Sequence, residues 1–327
     1  MIVLGIETSC DETSAAIVKD GQKVLSNEVA SSLEFHKRYG GVIPEIASRI
    51  QLETITKITE SAVKKARIKL KDIDLISVTN RPGLLGSLLV GISFAKSLSL
   101  ALDRPLLGID HVYSHFYANF LDSKRIELPF MALVVSGGHT SIFHVHDFNK
   151  IELLGETKDD ACGEAFDKVA KILGLGYPGG PLIEKMAKLG NPKKIKLNCS
   201  GSRDDFNFSF SGIKTAILYL TRGRRISLKE KRDICASFQE TVIDVLVRKT
   251  LAACRLKKSS RLLLGGGVVA NNRLREKFIL AQKSHKLDLY FPQKSLCMDN
   301  AAMVAGLGYQ LFKKGYHSDL SLTVELN

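Results

Sequence analysis

The sequence lacks Cys-x-x-Cys pairs, an export signal and, by inspection, any apolar run long enough to cross a bilayer. Its six cysteines are scattered singly, which favours reduced thiols over a disulfide framework or a cysteine zinc site. Residues 1–7 contain no basic region followed by a cleavage site and instead predict a β-strand. We therefore expect a cytoplasmic protein with no membrane partner.

Acidic residues are outnumbered, with 34 Asp and Glu against 47 Lys and Arg, a net charge of +13. Such a balance suits a polyanionic partner such as nucleic acid, nucleotide phosphates or an anionic membrane surface, although it does not choose among them. Basic residues cluster in two stretches, 64–71 and 222–232. Each stretch is either a solvated face or part of a nucleic-acid contact.

The order of predicted elements divides the 327 residues into two similar halves. The first half follows the pattern β-β-β-α-β-α-β-α, and the second repeats it with extra helices. This pattern predicts an α/β protein with a duplicated lobe and a cleft between the copies. We place the first lobe at residues 1–125, with 300–327 packing back on it, and the second at 126–299. Residues 190–202 form a polar insertion and are predicted to be a mobile loop.

A histidine pair, His111 and His115, opens a predicted helix that follows an apolar strand. Residues four apart on a helix point the same way, so the two imidazoles can bind one metal ion. The alternative is a pair of half-buried histidines on an amphipathic helix. The zinc-hydrolase pattern His-Glu-x-x-His is absent because Val112 stands at the Glu position. Asp299 is either the N-cap of the last helix or a third ligand in a site suited to Fe(II), Zn or Mn.

Three turns have the composition of phosphate-binding loops: the hydroxyl-rich and acidic turn 7–13, the glycine turn 136–140 and the triple glycine 265–267. Glycine lets backbone N–H groups approach an anion closely, and a glycine loop before a helix is a frequent nucleotide contact. Each could also be an ordinary turn. Asp167 either belongs to a helix start or binds a ligand hydroxyl or amine, and 177–181 is a rigid turn before a helix.

Taken together, these motifs resemble the TsaD family, which completes threonylcarbamoylation of tRNA. The resemblance is carried, in order, by residues 5–13, 39–45, the histidine pair, 135–140, 163–168, 177–181, 208–215 and 299–303. Departures from the family pattern include Arg81, where the family usually has Gly, Gln51, where it usually has His, and Tyr113, where it often has Glu.

The resemblance implies two ribonuclease-H-like lobes of the actin/hexokinase/Hsp70 type. It implies transfer of the threonylcarbamoyl group from threonylcarbamoyl-adenylate to N6 of adenosine 37, in tRNAs reading codons that begin with A. It also implies a divalent metal, Fe(II) or else Zn, on His111, His115 and Asp299, and TsaB and TsaE as bacterial partners. The implied adenylate or ATP/ADP contacts are Val134, Val135, Ser136, Gly137, Gly138, Asp167, Gly180, Glu184 and Asn271.

No catalytic base is assigned, although Glu12 and His139 are candidates. Two other enzyme classes remain open from the sequence. One is an ATP-dependent small-molecule kinase of the same fold, and the other is a metallopeptidase, although the missing Glu argues against it. A non-enzymatic scaffold is disfavoured by the phosphate-type loops and the metal constellation.

Overall fold

The computed structural model describes residues 1–122, 126–199 and 205–325 and divides the chain into two compact units. Unit 1 comprises Met1–Ile126 and Pro292–Asn327, and unit 2 comprises Glu127–Phe291. The sequence analysis placed the return of the chain to the first lobe at residue 300. In the structure the chain returns to unit 1 at Pro292. This difference places Asp299 in the same unit as the histidine pair.

Unit 1 contains a five-stranded sheet, whose strands are β1 Ile2–Glu7, β2 Glu12–Lys19, β3 Lys23–Ser31, β4 Leu75–Arg81 and β5 Leu106–Asp110. Their order in the sheet is β3-β2-β1-β4-β5; β4 pairs parallel with β1 and β5, and β2 pairs antiparallel with β1 and β3. Its first four helices are α1 Leu33–Lys37, α2 Pro44–Lys65, α3 Leu85–Leu102 and α4 His111–Tyr117. The short α1 is absent from the predicted β-β-β-α-β-α-β-α pattern, which the other elements follow in order.

Helix α3 corrects the expectation that no segment is long and apolar enough to cross a bilayer. By length and composition alone it qualifies, with a mean hydropathy of 1.7 over 18 residues. A single helix of this kind is weak evidence, because core helices pass the same test. Its Leu88, Ile92 and Ala95 pack with Ile76 and Val78 of β4 in the core of unit 1.

Unit 2 contains a second five-stranded sheet in the order β10-β9-β6-β7-β8. Its strands are β6 Phe130–Val135, β7 Thr140–Asp147, β8 Lys150–Glu156, β9 Arg261–Gly265 and β10 Asp288–Tyr290. Its helices are α5 Cys162–Ile172, α6 Gly179–Ala187, α7 Ser211–Thr221, α8 Leu228–Leu256 and α9 Asn272–His285. The last helix of the chain, α10 Ala301–Lys313, belongs to unit 1.

The two sheets have the same topology, which confirms the predicted duplication. In each, a parallel central strand is flanked on one side by two antiparallel strands and on the other by two parallel ones. The first strand of each unit is almost entirely buried, as expected for central strands covered by helices on both faces.

Helix α10 lies directly on the unit 1 sheet because small residues permit close approach. A Cβ at Gly5 of β1 would lie 2.1 Å from the Ala301 carbonyl oxygen, so this position requires glycine. The Ala301 amide also donates to Ser14 Oγ of β2 at 2.9 Å. These contacts fix the beginning of α10, and with it the preceding Asp299, against the sheet.

The predicted loop at 190–202 is attached to α8 over its described part. The amide of Asn191 donates to Asp233 Oδ1 at 2.8 Å, and that of Ile195 to Ser237 Oγ at 3.2 Å. The expectation of a mobile loop is not supported by these contacts. Residues 200–202 lie outside the described residues.

Candidate metal and nucleotide sites

Helix α4 positions the histidine pair directly after strand β5. Asp110 is its N-cap, and Asp110 Oδ1 accepts from the Tyr113 amide at 3.1 Å. The α-helix ends at Tyr117 and continues as a short 3-10 turn, Ala118–Phe120. His111 and His115 are one turn apart and both are buried, with ring centroids 4.6 Å apart.

Asp299 completes a three-residue group with the histidine pair. Asp299 Oδ1 lies 3.6 Å from His111 Nε2 and 3.3 Å from His115 Nε2. One donor atom from each residue lies within 4.8 Å of the other two. Two imidazoles and one carboxylate form a donor set that suits Fe(II), Zn or Mn and leaves coordination positions for ligand oxygens.

Asp299 is not the N-cap of α10, which was the competing interpretation. Asn300 has that role, since Asn300 Oδ1 accepts from the Met303 amide at 3.2 Å. The Asp299 side chain is 20 % exposed.

Glu7, at the end of β1, orients His111. Glu7 Oε2 lies 3.0 Å from His111 Nδ1 and also accepts from Thr79 Oγ1 at 2.6 Å, while Glu7 Oε1 accepts from the Ser9 amide at 2.6 Å. A carboxylate held in this way accepts the Nδ1 proton of the imidazole and leaves Nε2 as the ligand atom. His111 therefore has the carboxylate partner that metal-binding histidines usually have.

His115 supplies the test of whether these residues fit a metal. The residue is fully buried, and both its ring nitrogens lack a hydrogen-bond partner within the described structure. Buried polar atoms are costly to leave unpaired, so such a ring nitrogen beside a carboxylate calls for an explanation. A metal ion held by the three residues would satisfy it, and we conclude that the residues fit.

The electrostatics of the group also favour a cation. Burial acts to lower the pKa of His111, but the negative charges of Glu7 and Asp299 raise it to about 9. Burial, together with the charges of Asp299 and Asp11, raises the pKa of the Glu12 carboxyl well above its usual range. Carboxylates crowded at one place disfavour further negative charge unless a positive ion is present.

Gln51, where the TsaD pattern usually has His, organises the acidic turn 7–13. Gln51 Nε2 donates to the carbonyl oxygens of Cys10 and Glu12 at 2.9 and 3.0 Å. The residue is buried. The amide therefore holds the backbone that carries Glu12, a role that could not be assigned from the sequence.

The glycine turn of unit 2 is closed at its base and open at its tip. The Ser136 amide donates to the His139 carbonyl at 2.8 Å, and the His139 amide to Ser136 Oγ at 3.0 Å. A Cβ at Gly137 or Gly138 would meet nothing within 4 Å. The turn therefore presents exposed backbone directly after Val134 and Val135, the two buried residues that end β6.

Neighbouring elements connect this turn to the other predicted adenylate contacts. The Gly163 amide, in α5, donates to the Ser136 carbonyl at 3.1 Å. Asp167 Oδ1, in the same helix, accepts from the Gly179 amide at the start of α6 at 2.6 Å. At Gly180 a Cβ would again meet nothing within 4 Å.

The connection continues from α6 to α9. Glu184 Oε1 accepts from the Asn272 amide at 3.1 Å and from Asn272 Nδ2 at 2.7 Å. Asn271 is the N-cap of α9, since its Oδ1 accepts from the Leu274 amide at 3.0 Å, and its Nδ2 donates to Gln239 Oε1 at 2.9 Å. Hydrogen bonds thus connect the elements that carry the predicted adenylate contacts, β6, α5, α6 and α9. For Asn271 the structure shows a structural role, as the cap of α9.

The two predicted basic clusters lie in different units. Lys64 lies in the last turn of α2 and Arg67 lies two residues beyond the helix end at Lys65, which forms an ion pair with Glu28 at 2.8 Å. In unit 2, Arg224 contacts Glu230 Oε1 at 3.0 Å, whereas Arg225 is exposed.

Comparison with known proteins agrees with the sequence motifs. The family TsaD, described as tRNA N6-adenosine threonylcarbamoyltransferase, matches residues 23–306. The chain belongs to the TsaD family. A Thermosipho melanesiensis relative with that name is 52% identical over 95% of each chain. Another from Clostridium perfringens is 46% identical over 100% of this chain and 97% of its own.

Solved structures support the fold. The structure of HypF from T. kodakarensis superposes with a TM-score of 0.63 at 16% identity, over 98% of this chain and 49% of its own. Component A of the (R)-2-hydroxyglutaryl-CoA dehydratase from Acidaminococcus fermentans superposes with a TM-score of 0.54 at 14% identity, over 95% of this chain and 98% of its own. These likenesses confirm the duplicated actin/Hsp70-like lobes.

Membership of the TsaD family establishes the reaction class. The enzyme is an acyltransferase that forms N6-threonylcarbamoyladenosine in tRNA. No observation favours the kinase, metallopeptidase or scaffold alternatives.

Proposed function

We propose that this transferase uses threonylcarbamoyl-adenylate as its donor and modifies adenosine 37 of tRNAs that read codons beginning with A. The observation that carries the proposal is the His115 ring, buried without a hydrogen-bond partner beside Asp299 and the Glu7-oriented His111. Such a group supports a metal-dependent role for unit 1. The open glycine turn of unit 2 supports the binding of an anionic ligand.

His111, His115 and Asp299 would hold one divalent ion, Fe(II) in preference to Zn. When bound, the ion would supply positive charge to oxygen atoms of the donor. Glu7 keeps a proton of His111 on Nδ1, so that Nε2 is the ring atom that would bind the ion. Ser9 Oγ, 3.1 Å from the same Nδ1, further restrains the ring.

In unit 2, the exposed N–H groups of Gly137 and Gly138 are suited to the donor phosphate. Asp167 fixes the start of α6 through the Gly179 amide, leaving Gly180 accessible for close approach. The second carboxylate oxygen of Asp167 would accept a hydrogen bond from a hydroxyl or amine of the adenylate donor. Asp167 therefore binds the donor and does not act as a base. Val134, Val135, Glu184 and Asn271 would support this turn or contact the adenosine.

The chemistry explains why these binding roles suffice. The adenine N6 amine is a poor nucleophile because its lone pair is delocalised into the ring, so the acyl group must arrive activated. The new bond forms between N6 and the carbamoyl carbon, the bond from that carbon to the phosphate oxygen breaks, AMP leaves, and N6 loses a proton. The protein must hold the two reactants together and stabilise charge on the leaving phosphate. Glu12 and His139 remain candidates for the proton acceptor.

Single-turnover transfer from preformed threonylcarbamoyl-adenylate to tRNA tests these roles. Asp167→Asn retains an oxygen for the Gly179 amide, so we expect weaker donor binding and a near-normal rate at saturation. Asp299→Ala should lower the rate even at saturating donor. A wild-type rate for Asp299→Ala at saturation would contradict the role of the metal group, whereas loss of threonylcarbamoyladenosine from tRNA of depleted cells would still report the reaction itself.

We also propose that the enzyme acts in the cytoplasm together with TsaB and TsaE-like proteins, as expected for bacterial members of its family. Reconstitution with and without each protein tests this. Full multiple-turnover activity of the isolated chain would contradict the requirement for partners.

A further inference from the structure

A second group of metal-binding side chains lies in unit 2, on the hairpin formed by β7 and β8. His144 and His146 are two residues apart on β7, so their side chains lie on the same face of the sheet. Glu152 on β8 is the direct cross-strand partner of His144. The pattern His-x-His within a strand is therefore completed by a carboxylate from the neighbouring strand.

The donor atoms of this group converge. Glu152 Oε2 lies 3.7 Å from His144 Nδ1 and 3.4 Å from His146 Nε2. One donor atom from each of the three residues lies within 4.8 Å of the other two, and the imidazole centroids are 4.1 Å apart. Distances of this size leave room for an ion between the donors after small rotations of the side chains.

His144 provides an independent indication of a ligand. It is only 8 % exposed, and its Nδ1 has no hydrogen-bond partner within the described structure. Leaving this nitrogen buried and unsatisfied costs free energy comparable to a lost hydrogen bond. Ion pairing of the histidines with Glu152 does not remove that cost. A metal ion would satisfy this atom.

Lys257, the C-cap residue of α8, orients the Glu152 carboxylate of this group. Lys257 Nζ contacts Glu152 Oε1 at 2.6 Å, which leaves Oε2 directed at the histidines.

We propose that His144, His146 and Glu152 form a second metal site, selective for Zn²⁺ or a similar transition-metal ion. Two neutral imidazoles and one carboxylate are a donor set that zinc accepts, with a fourth position open to water. That position is accessible because the His146 and Glu152 side chains are 38% and 42% exposed. Since β8 is an edge strand, the ion would cross-link it to β7.

This inference is independent of the transfer reaction, since it concerns unit 2 residues that have no assigned role in donor binding. The decisive measurement is zinc content, after equilibration in buffered micromolar zinc and removal of free metal. We use His111→Ala as the background, because it disables the unit 1 group. In that background, adding His146→Ala should remove one zinc equivalent per chain. His317→Ala, at an exposed histidine outside both groups, is the matched control and should remove none.

Thermal unfolding supplies a second readout. Because a metal that binds only the folded state stabilises it, added zinc should raise the unfolding temperature of His111→Ala. The increase should disappear in His111→Ala/His146→Ala and persist in His111→Ala/His317→Ala. Equal zinc content in His111→Ala and His111→Ala/His146→Ala would overturn the inference, whatever the transfer activity of the wild type.

Discussion

Arg81 Nε contacts Asp110 Oδ2 at 3.3 Å, so the residue that departs from the TsaD pattern lies against the N-cap of the helix that carries the metal-type histidines. Arg81 also forms an ion pair with Glu325, whose amide donates to the Asn80 carbonyl at 3.2 Å. The substitution therefore connects β4 to both α4 and the C-terminal segment.

The first prediction compares substitutions of Arg81 and of its partner Asp110. The Arg81 side chain is 39% exposed, and exposed ion pairs contribute at most about 1 kcal/mol. Arg81→Ala should therefore change stability and metal content little. Asp110→Ala removes the cap of α4 and should cost about 1 kcal/mol, with lower retention of metal. Chemical denaturation and elemental analysis would measure both; equal effects of the two changes would contradict this ranking.

The second prediction concerns the orientation of His111 by Glu7. Glu7→Gln retains the size of the side chain but removes the negative charge that holds the Nδ1 proton. Loss of a carboxylate partner of this kind typically lowers metal affinity by about 10–100-fold. Titration of metal-free protein with Fe(II) or Zn should show such a decrease. Glu28→Gln, at the ion pair between β3 and Lys65 of α2, is the control; comparable affinities of the Glu7→Gln and Glu28→Gln variants would refute the role of Glu7.

The third prediction is a pH dependence of the metal-free protein. The pKa of His111 is raised from 6.5 to about 9 by Glu7 and Asp299, against the effect of burial. Protonated His111 therefore stabilises the folded state fully below about pH 6.5, and this contribution is lost as pH rises through about 9. The free energy of unfolding in the presence of a chelator should fall across this range.

The matched variant for this measurement is His111→Gln, which cannot titrate. The difference in unfolding free energy between wild type and His111→Gln should shrink as pH rises. Metal affinity should change in the opposite direction, because the ion must displace the proton from Nε2. A pH-independent difference between the two proteins would show that His111 is already neutral.

The fourth prediction separates two glycines of unit 2. A Cβ at Gly163 would lie 2.7 Å from the Ser136 carbonyl oxygen, whereas one at Gly138 would meet nothing within 4 Å. Gly163→Ala should therefore lower stability by displacing the glycine turn. Gly138→Ala should leave stability unchanged but weaken binding of the adenylate donor. Thermal unfolding and donor titration check both, and normal donor affinity in Gly138→Ala would argue against a ligand at the turn.

The fifth prediction concerns tRNA. Because Arg224 already contacts Glu230, Arg225 is the cleaner position for charge reversal. If Arg225 contacts a phosphate, Arg225→Glu should reduce the slope of log tRNA affinity against log salt concentration by about one unit. Lys150→Glu, at an exposed lysine outside the basic clusters, should have a smaller effect. Identical slopes for wild type and Arg225→Glu would exclude this contact, and donor affinity should be unchanged in both.

The sequence alone determined the duplicated α/β pattern, because central strands buried on both faces are continuous apolar runs and the turns between elements contain glycine, proline and hydroxyl residues. It also determined the His111–His115 pair, because residues four apart in a helix lie on one face whatever surrounds them. Local periodicity is sufficient for relationships of this kind.

Only the tertiary structure decided which distant residues meet. Asp299 was ambiguous between an N-cap and a ligand until α10 was placed on β1 through Gly5 and Asn300 was found to be the cap. The contact of Glu7 with His111 joins the last residue of β1 to the first residue after β5, which are strands of the same sheet. His144 and Glu152 meet only through the register of β7 with β8. The contacts of Asp299 and Glu7 depend on packing between segments far apart in the chain, and the contact of His144 with Glu152 depends on the register of one hairpin. Local sequence patterns specify neither of these.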